Sequence, residues 1–247
     1  MDQTTDKTIR EIALEAPATT RVFEEFKIDY CCGGRRSIED ACNTAGIDPA
    51  ILTERINAVI AQQDVGDEVH PEDKKPTELI GYIISKHHVF TAEELARLTP
   101  LMAKVVDRHG ESHPELKDLQ WIFLELAGSL IPHMRKEEGV LFPYIQMLES
   151  AANGISPAPI SHFGTVQNPI RMMMSEHDTD GDRLKRMREI TNDYTLPAGA
   201  CPSFTALYAG LEDLERDLHR HIHLENNVLF PAAAKLETSV ESAVSAA

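Results

Sequence analysis

Aromatic residues are scarce in this sequence, 6% of 247 positions, with a single tryptophan. No alternating apolar and polar run bounded by turns stands out, so a β-rich fold has little to build on. No apolar stretch approaches the ~20 residues a membrane span needs. The opening MDQTTDKTIREIALEAP lacks the basic start and apolar core of a secretory signal. Basic residues are in deficit, 24 against 40 acidic ones, for a net charge of −16. A surface of that sign repels phosphate backbones and anionic bilayers, so no nucleic acid and no membrane is expected as a partner. Cysteine is confined to Cys31, Cys32, Cys42 and Cys201, with no framework spacing. Together with the missing signal, this predicts free thiols and a cytoplasmic location.

What is present is helix punctuation. Ser37 precedes IED as an N-cap, Gly46 fits a helix end, and Asp48-Pro49 reads as a cap followed by proline at the first helical position. Short helices are predicted near 8–16, 18–27, 37–45 and 49–63, with DYCCGG as a turn. A polar stretch with two prolines, DVGDEVHPEDKKP, reads as a linker. Four longer helical patterns follow, near 77–109, 114–149, 169–193 and 203–238, and the tail ETSVESAVSAA is expected to fray. The expected fold is all-α: a small helical N-terminal domain over 1–65, a linker over 66–76, and a four-helix bundle over 77–240.

An internal repeat organises the second part. LIPHMRKEEGVLFP and LHRHIHLENNVLFP each contain His, Glu four positions on, then LFP. His133 to Pro143 and His221 to Pro231 are both 10 positions, and His88 and His177 lie 45 and 44 positions upstream (133 − 88, 221 − 177). The pattern describes two similar helical hairpins, each with one lone His on its first helix and one His-x-x-x-Glu on its second. Apolar neighbours at spacings of three, four and seven place His88, His133, Glu137, His177, His221 and Glu225 on buried stripes. Around His133 these neighbours include Leu126, Leu130, Val140 and Leu141. His87 adjoins His88; His88 is preferred because it is in phase with Ile84.

A buried carboxylate without a partner costs several kcal/mol. Two such carboxylates among four imidazoles need a shared positive charge, and a pair of metal ions supplies it. His and Glu at i, i+4 share a face and reach the same metal pair. Imidazole with carboxylate and no thiolate suits iron, and manganese or zinc less well. The reading is two non-haem Fe ions, bridged by both carboxylates and by an oxide or hydroxide, with room for a diatomic ligand. Ordinary satisfied core histidines would explain one such residue, not a duplicated set of six.

DYCCGG carries two adjacent thiols on a glycine-rich turn, expected to be accessible and to have their pKa lowered by Arg35 and Arg36. Cys31 and Cys32 are candidates for redox chemistry or iron transfer, with the linker bringing them to the bundle end. An ordinary turn stays open as an alternative. Cys42 and Cys201 read as structural.

YCCGG in a short helical domain, followed by H-M-x-K-E-E, S-E-H-D and H-x-x-L-E-N-N-V-L-F-P, resembles the repair-of-iron-centres family of YtfE, ScdA and NorA type, over residues 8 to 235. The resemblance implies a hemerythrin-like up-down bundle with a di-iron site on the same six residues. It also implies repair of iron–sulfur clusters damaged by oxidative or nitrosative stress, by iron donation. Partners would be damaged iron–sulfur proteins, NO and O2; a homodimer is compatible. An alternative is binding of nitric oxide, or its reduction to nitrous oxide, which leaves open whether the chain is an enzyme. Ala92 and Gly181 stand where oxygen-carrying hemerythrins have further histidines, which implies a more open site.

Overall fold

The computed structural model describes residues 7–62 and 70–245. Among the described residues there is no strand, only a lone bridge between Thr8 and Ser37. The N-terminal part packs α1 (Ile9–Glu15), α2 (Thr20–Glu25), α3 (Ile38–Ala45) and α4 (Pro49–Gln62). Their starts have local causes. Thr8 Oγ1 accepts the Glu11 N–H while the Glu11 carboxylate accepts the Thr8 N–H, a reciprocal cap. Ser37 caps α3, and Gly46, at φ 70°, ends it in the left-handed region. The Asp48 carboxylate accepts the Ala50 N–H just ahead of α4. The apolar faces meet around Ile9, Phe23, Ile38, Leu52 and Ile56. Residues 63–69, which include the start of the expected linker, lie outside the described residues; the later part of the linker holds a 3-10 turn at Pro71–Asp73.

Four long helices follow, in up-down order: α5 (76–109), α6 (115–152), α7 (Gln167–Ile190) and α8 (202–245). Three of them contain a widened, π-helical turn, at Ile83–His88 in α5, Glu137–Leu141 in α6 and Leu224–Leu229 in α8. Two of these turns have a visible cause. Pro143 and Pro231 have no N–H, so the carbonyls four residues back, Gly139 and Asn227, lose their helical donor. Just ahead of each proline the ladder runs five residues apart, through Phe142 N–H to Glu137 O and Phe230 N–H to Glu225 O. The repeated LFP therefore marks both turns. The turn in α5 contains no proline.

An extra residue in a turn shifts the buried stripe. Val140, expected inside, is 52% exposed, and both His87 and His88 are buried. Pro169 sits in the first turn of α7, which starts two residues earlier, and α8 stays helical to Ser245 where fraying was expected.

The bundle interior has two apolar layers. One is built on Leu95, Leu130, Leu184 and Leu218. The other is built on Ile83, Leu141, Met173 and Leu229. On every helix the chain passes from one layer to the other across a predicted site residue: His88 on α5, His133 and Glu137 on α6, His177 on α7, His221 and Glu225 on α8. A polar layer is thus closed above and below by hydrocarbon.

Candidate metal centre

All six residues face this layer and are buried, with Glu137 and Glu225 both at 0% exposure. Their donor atoms form two overlapping groups, His88, Glu137, His221 and Glu225, and His133, Glu137, His177 and Glu225, each within 4.8 Å. The two carboxylates belong to both groups. Within each group the imidazoles meet edge to edge: His88 Nε2 is 3.1 Å from His221 Nε2, and His133 Nε2 is 3.0 Å from His177 Nε2.

Glu137 places its two oxygens 3.3 Å from His133 Nε2 and 3.5 Å from His88 Nε2, and Glu225 places its own 3.0 Å from His221 Nε2 and 3.2 Å from His177 Nε2. Among the described residues, both Glu137 oxygens and one Glu225 oxygen have no partner in hydrogen-bond geometry in spite of this closeness. They converge on points between the rings, not on ring N–H vectors. That arrangement fits cations. Two nitrogens each ~2.1 Å from one metal at roughly a right angle stand ~3 Å apart, as the paired rings do.

The electrostatics agree. Burial works against a charge on His133, but Glu137, Glu225 and Glu176 outweigh it and lift its pKa to about 9. His88 is raised in the same way, burial being overcome by Glu225 and Glu137. Burial would raise Glu225, yet His221, His177 and His88 hold it well below the ordinary carboxylate value. His221 moves the other way, lowered by burial in spite of Glu225. The layer demands positive charge, and imidazole protons supply it when no metal does.

Reading only for ligands missed the residues behind the rings. His88 Nδ1 is 2.7 Å from Glu138, His133 Nδ1 2.7 Å from Glu176, and His177 Nδ1 2.9 Å from Asn226. These partners fix the ring tautomers so that Nε2 faces inward as a lone pair. Their signal was in the motifs: each adjoins a predicted ligand in KEE, SEH or LEN. His87, the neighbour of His88, stays outside both groups. Its Nδ1 meets Asp217 at 2.9 Å, and its ring stacks on His221 at 5.6 Å and 9°.

Residues 79–233 match the hemerythrin HHE cation binding domain, and residues 5–60 match ScdA_N, described as a domain of unknown function. Similar curated proteins include the iron-sulfur cluster repair protein YtfE of Yersinia pseudotuberculosis serotype IB (strain PB1/+). It is 34% identical over 234 residues, 94% of this chain and 98% of the relative. The iron-sulfur cluster repair protein ScdA of Staphylococcus haemolyticus (strain JCSC1435) is 32% identical over 227 residues, 92% and 97% of the two chains. The chain belongs to the YtfE/ScdA family. No helix among its described residues is long and apolar enough to cross a membrane.

The turn that carries Cys31 and Cys32 lies against the flank of α8, not at the bundle end. Asn227 Nδ2 donates to the carbonyls of Tyr30 (3.2 Å) and Cys31 (3.4 Å), and Arg10 donates to Asn227 O, the carbonyl left without a helical donor by Pro231. His219 meets Glu24 at 3.1 Å. For Cys31 two expectations are overturned. Cys31 is buried, and its thiol pKa is pushed well up by the Cys32 thiol 3.8 Å away, by burial and by the Asp29 carboxylate, where Arg35 and Arg36 were expected to lower it. Asp29 also organises the turn by accepting the backbone N–H groups of Cys31, Cys32 and Gly33. Cys32 is half-buried, and Gly181 of α7, four residues beyond His177, faces its Sγ: a Cβ there would stand 3.9 Å from the sulfur.

Proposed function

We propose that this chain holds two iron ions and repairs iron–sulfur clusters damaged by oxidative or nitrosative stress; its YtfE and ScdA relatives are named as iron-sulfur cluster repair proteins. The ligands in this reading are His88, His133, Glu137, His177, His221 and Glu225, with both carboxylates shared. The observation that carries it is the burial of Glu137 and Glu225 between two imidazole pairs without hydrogen-bond partners adequate to their charge. Four nitrogens and two carboxylates across two ions form a lean donor set, and imidazole with carboxylate suits iron. When bound, the pair supplies redox-active cations with free coordination positions. The chain's own residues orient the rings through Glu138, Glu176 and Asn226 and close the layer to bulk water. Residues 1–65 and 77–240 act as two domains joined by 66–76, in the cytoplasm. Cys31 and Cys32 are the candidate redox or iron-transfer thiols for a damaged client.

Metal analysis and a repair assay test this. About two irons per chain are expected, and loaded protein should restore a damaged iron–sulfur enzyme anaerobically. Glu225→Gln, which keeps the shape and removes the shared charge, should lose most of the iron and the repair. Zinc alone, or equal repair by metal-free protein, would refute the reading.

A second reading, binding of nitric oxide or its reduction to nitrous oxide, draws on the lean donor set: four nitrogens and two shared carboxylates leave room for a diatomic. Ala92, expected to open the site, is exposed, and Gly181 faces the Cys32 sulfur. Anaerobic turnover with gas analysis separates the cases: nitrous oxide formation supports reduction, and stoichiometric nitrosylation without it supports binding alone.

A further inference from the structure

The rings of the polar layer are not supported alike. In the His133–His177 pair both outer nitrogens have acceptors, Glu176 and Asn226, at 2.7 and 2.9 Å. Glu176 is itself held by Lys136 at 2.6 Å. In the His88–His221 pair only His88 has one, Glu138 at 2.7 Å, and the Glu138 side chain is 43% exposed. His221 Nδ1 is buried with no hydrogen-bond partner among the described residues. Its ring is backed by the flat face of His87, which takes up its own Nδ1 on Asp217. A face-stacked ring offers neither an acceptor for an N–H nor a fixed tautomer.

An acceptor behind a ligand histidine does two things. It holds the ring so that the inward nitrogen is always the lone pair, and it raises that nitrogen's basicity. Removing such a partner costs on the order of 10–100-fold in metal affinity. We propose that the two metal positions are therefore unequal: the cation between His88 and His221 is the labile one, and the cation between His133 and His177 is retained by Glu176 and Asn226 as positioning residues. This rests on the two-iron reading above and adds which of the ions the chain gives up. An iron donor built this way delivers one ion while the second keeps the layer neutralised, so the bundle interior does not face two bare carboxylates after each delivery.

Release into an excess of ferrous chelator, followed anaerobically by absorbance on the fully loaded holoprotein, tests the asymmetry. Sequential loss gives two phases from any two-ion site, so the response of each phase to substitution decides. Asn226→Ala should speed the slow phase about tenfold and leave the fast phase unchanged. Asn226→Asp, which restores an acceptor, should return it toward the wild-type rate. Glu138→Gln should speed only the fast phase. Acceleration of the fast phase by Asn226→Ala, or of both phases by one factor, would overturn the assignment, since equal sites would release first whichever ion was weakened. Fewer than two irons per chain before chelator is added would overturn the two-iron reading as well, and is read separately by metal analysis.

Discussion

Asn227→Ala should release the cysteine turn from α8 without unfolding the N-terminal core. The Asn227 amide lies 3.0 Å from His223 Nδ1, 3.2 Å from Tyr30 O and 3.4 Å from Cys31 O. Two hydrogens serve these three acceptors, so the substitution deletes about two hydrogen bonds at roughly 1 kcal/mol each. A closed state weakened by about 2 kcal/mol opens ~30-fold more often, since 1.4 kcal/mol is a factor of ten. Labelling of a protected thiol follows that open population when reclosing outruns modification. Cys31, buried against α8, should therefore react ~30-fold faster with a thiol reagent. Cys42 provides the control: it is fully buried in the N-terminal core, away from Asn227. Mass spectrometry of the labelled peptides reads both from one sample of iron-loaded protein. An unchanged Cys31 rate would refute the role given to Asn227, and equal acceleration of Cys42 would mean global destabilisation instead.

Metal uptake should expel protons. His133, with a pKa of about 9, is charged at pH 7 in the metal-free chain and must lose its inward proton to ligate. Metal affinity should therefore rise with pH up to about 9 and flatten above; an indicator dye showing no proton release at pH 7 would contradict this. Glu215→Gln should cost roughly 2–3 kcal/mol in urea unfolding, because buried Glu215 accepts from Arg188 at 2.9 Å and from the Tyr194 hydroxyl at 2.8 Å. Those bonds tie down Asn192, Asp193 and Tyr194, three consecutive non-glycine residues at positive φ. Two helical glycines should respond in opposite senses. Gly128→Ala meets nothing within 4 Å and should gain ~0.5–1 kcal/mol. Gly210→Ala brings a methyl group to 2.7 Å from Leu98 Cδ2 and should lose ~1–2 kcal/mol by overpacking.

The bundle and its six inward residues were legible because they repeat. A duplicated His-x-x-x-Glu on apolar stripes leaves few alternatives once the cost of burying charge is counted. What escaped was whatever periodicity could not see. A 3.6-residue wheel has no place for a π turn, so it puts Val140 inside and cannot bury His87 beside His88, although it does pick out His88 as the residue that faces the layer. The acceptors behind the rings escaped for another reason. Glu138, Glu176 and Asn226 are next-door neighbours of ligands in the chain, and in a regular helix adjacent residues point about 100° apart; their reach to a ring on another helix is a tertiary fact. The thiol turn was misjudged because the charge that decides Cys31 is Asp29, whose carboxylate folds over the turn to take three N–H groups, while the two arginines were judged by proximity in sequence.

The π turns also connect the two halves of the molecule. In α8 three consecutive residues have three different duties: Glu225 lies in the polar layer, Asn226 holds His177, and Asn227 holds the carbonyls of Tyr30 and Cys31. In a regular helix the Asn227 carbonyl would be consumed by the residue four positions on. Pro231 leaves it free, and Arg10 of α1 takes it at 2.9 Å. The equivalent carbonyl in α6, Gly139, is freed by Pro143, yet Gly139 faces solvent. The duplicated motif thus makes two equivalent turns, and only the second is read by the N-terminal helices. Any change in Glu225 that tightens or relaxes its turn is transmitted within one residue to Asn226 and within two to the cysteine turn. If so, Arg10→Ala should raise Cys31 labelling in the same sense as Asn227→Ala, and the double variant should show less than the product of the two factors, because both groups brace one turn. Full multiplicativity would mean that the carbonyl and the amide act as independent contacts, and the turn would then be a scaffold for both halves with no coupling between them.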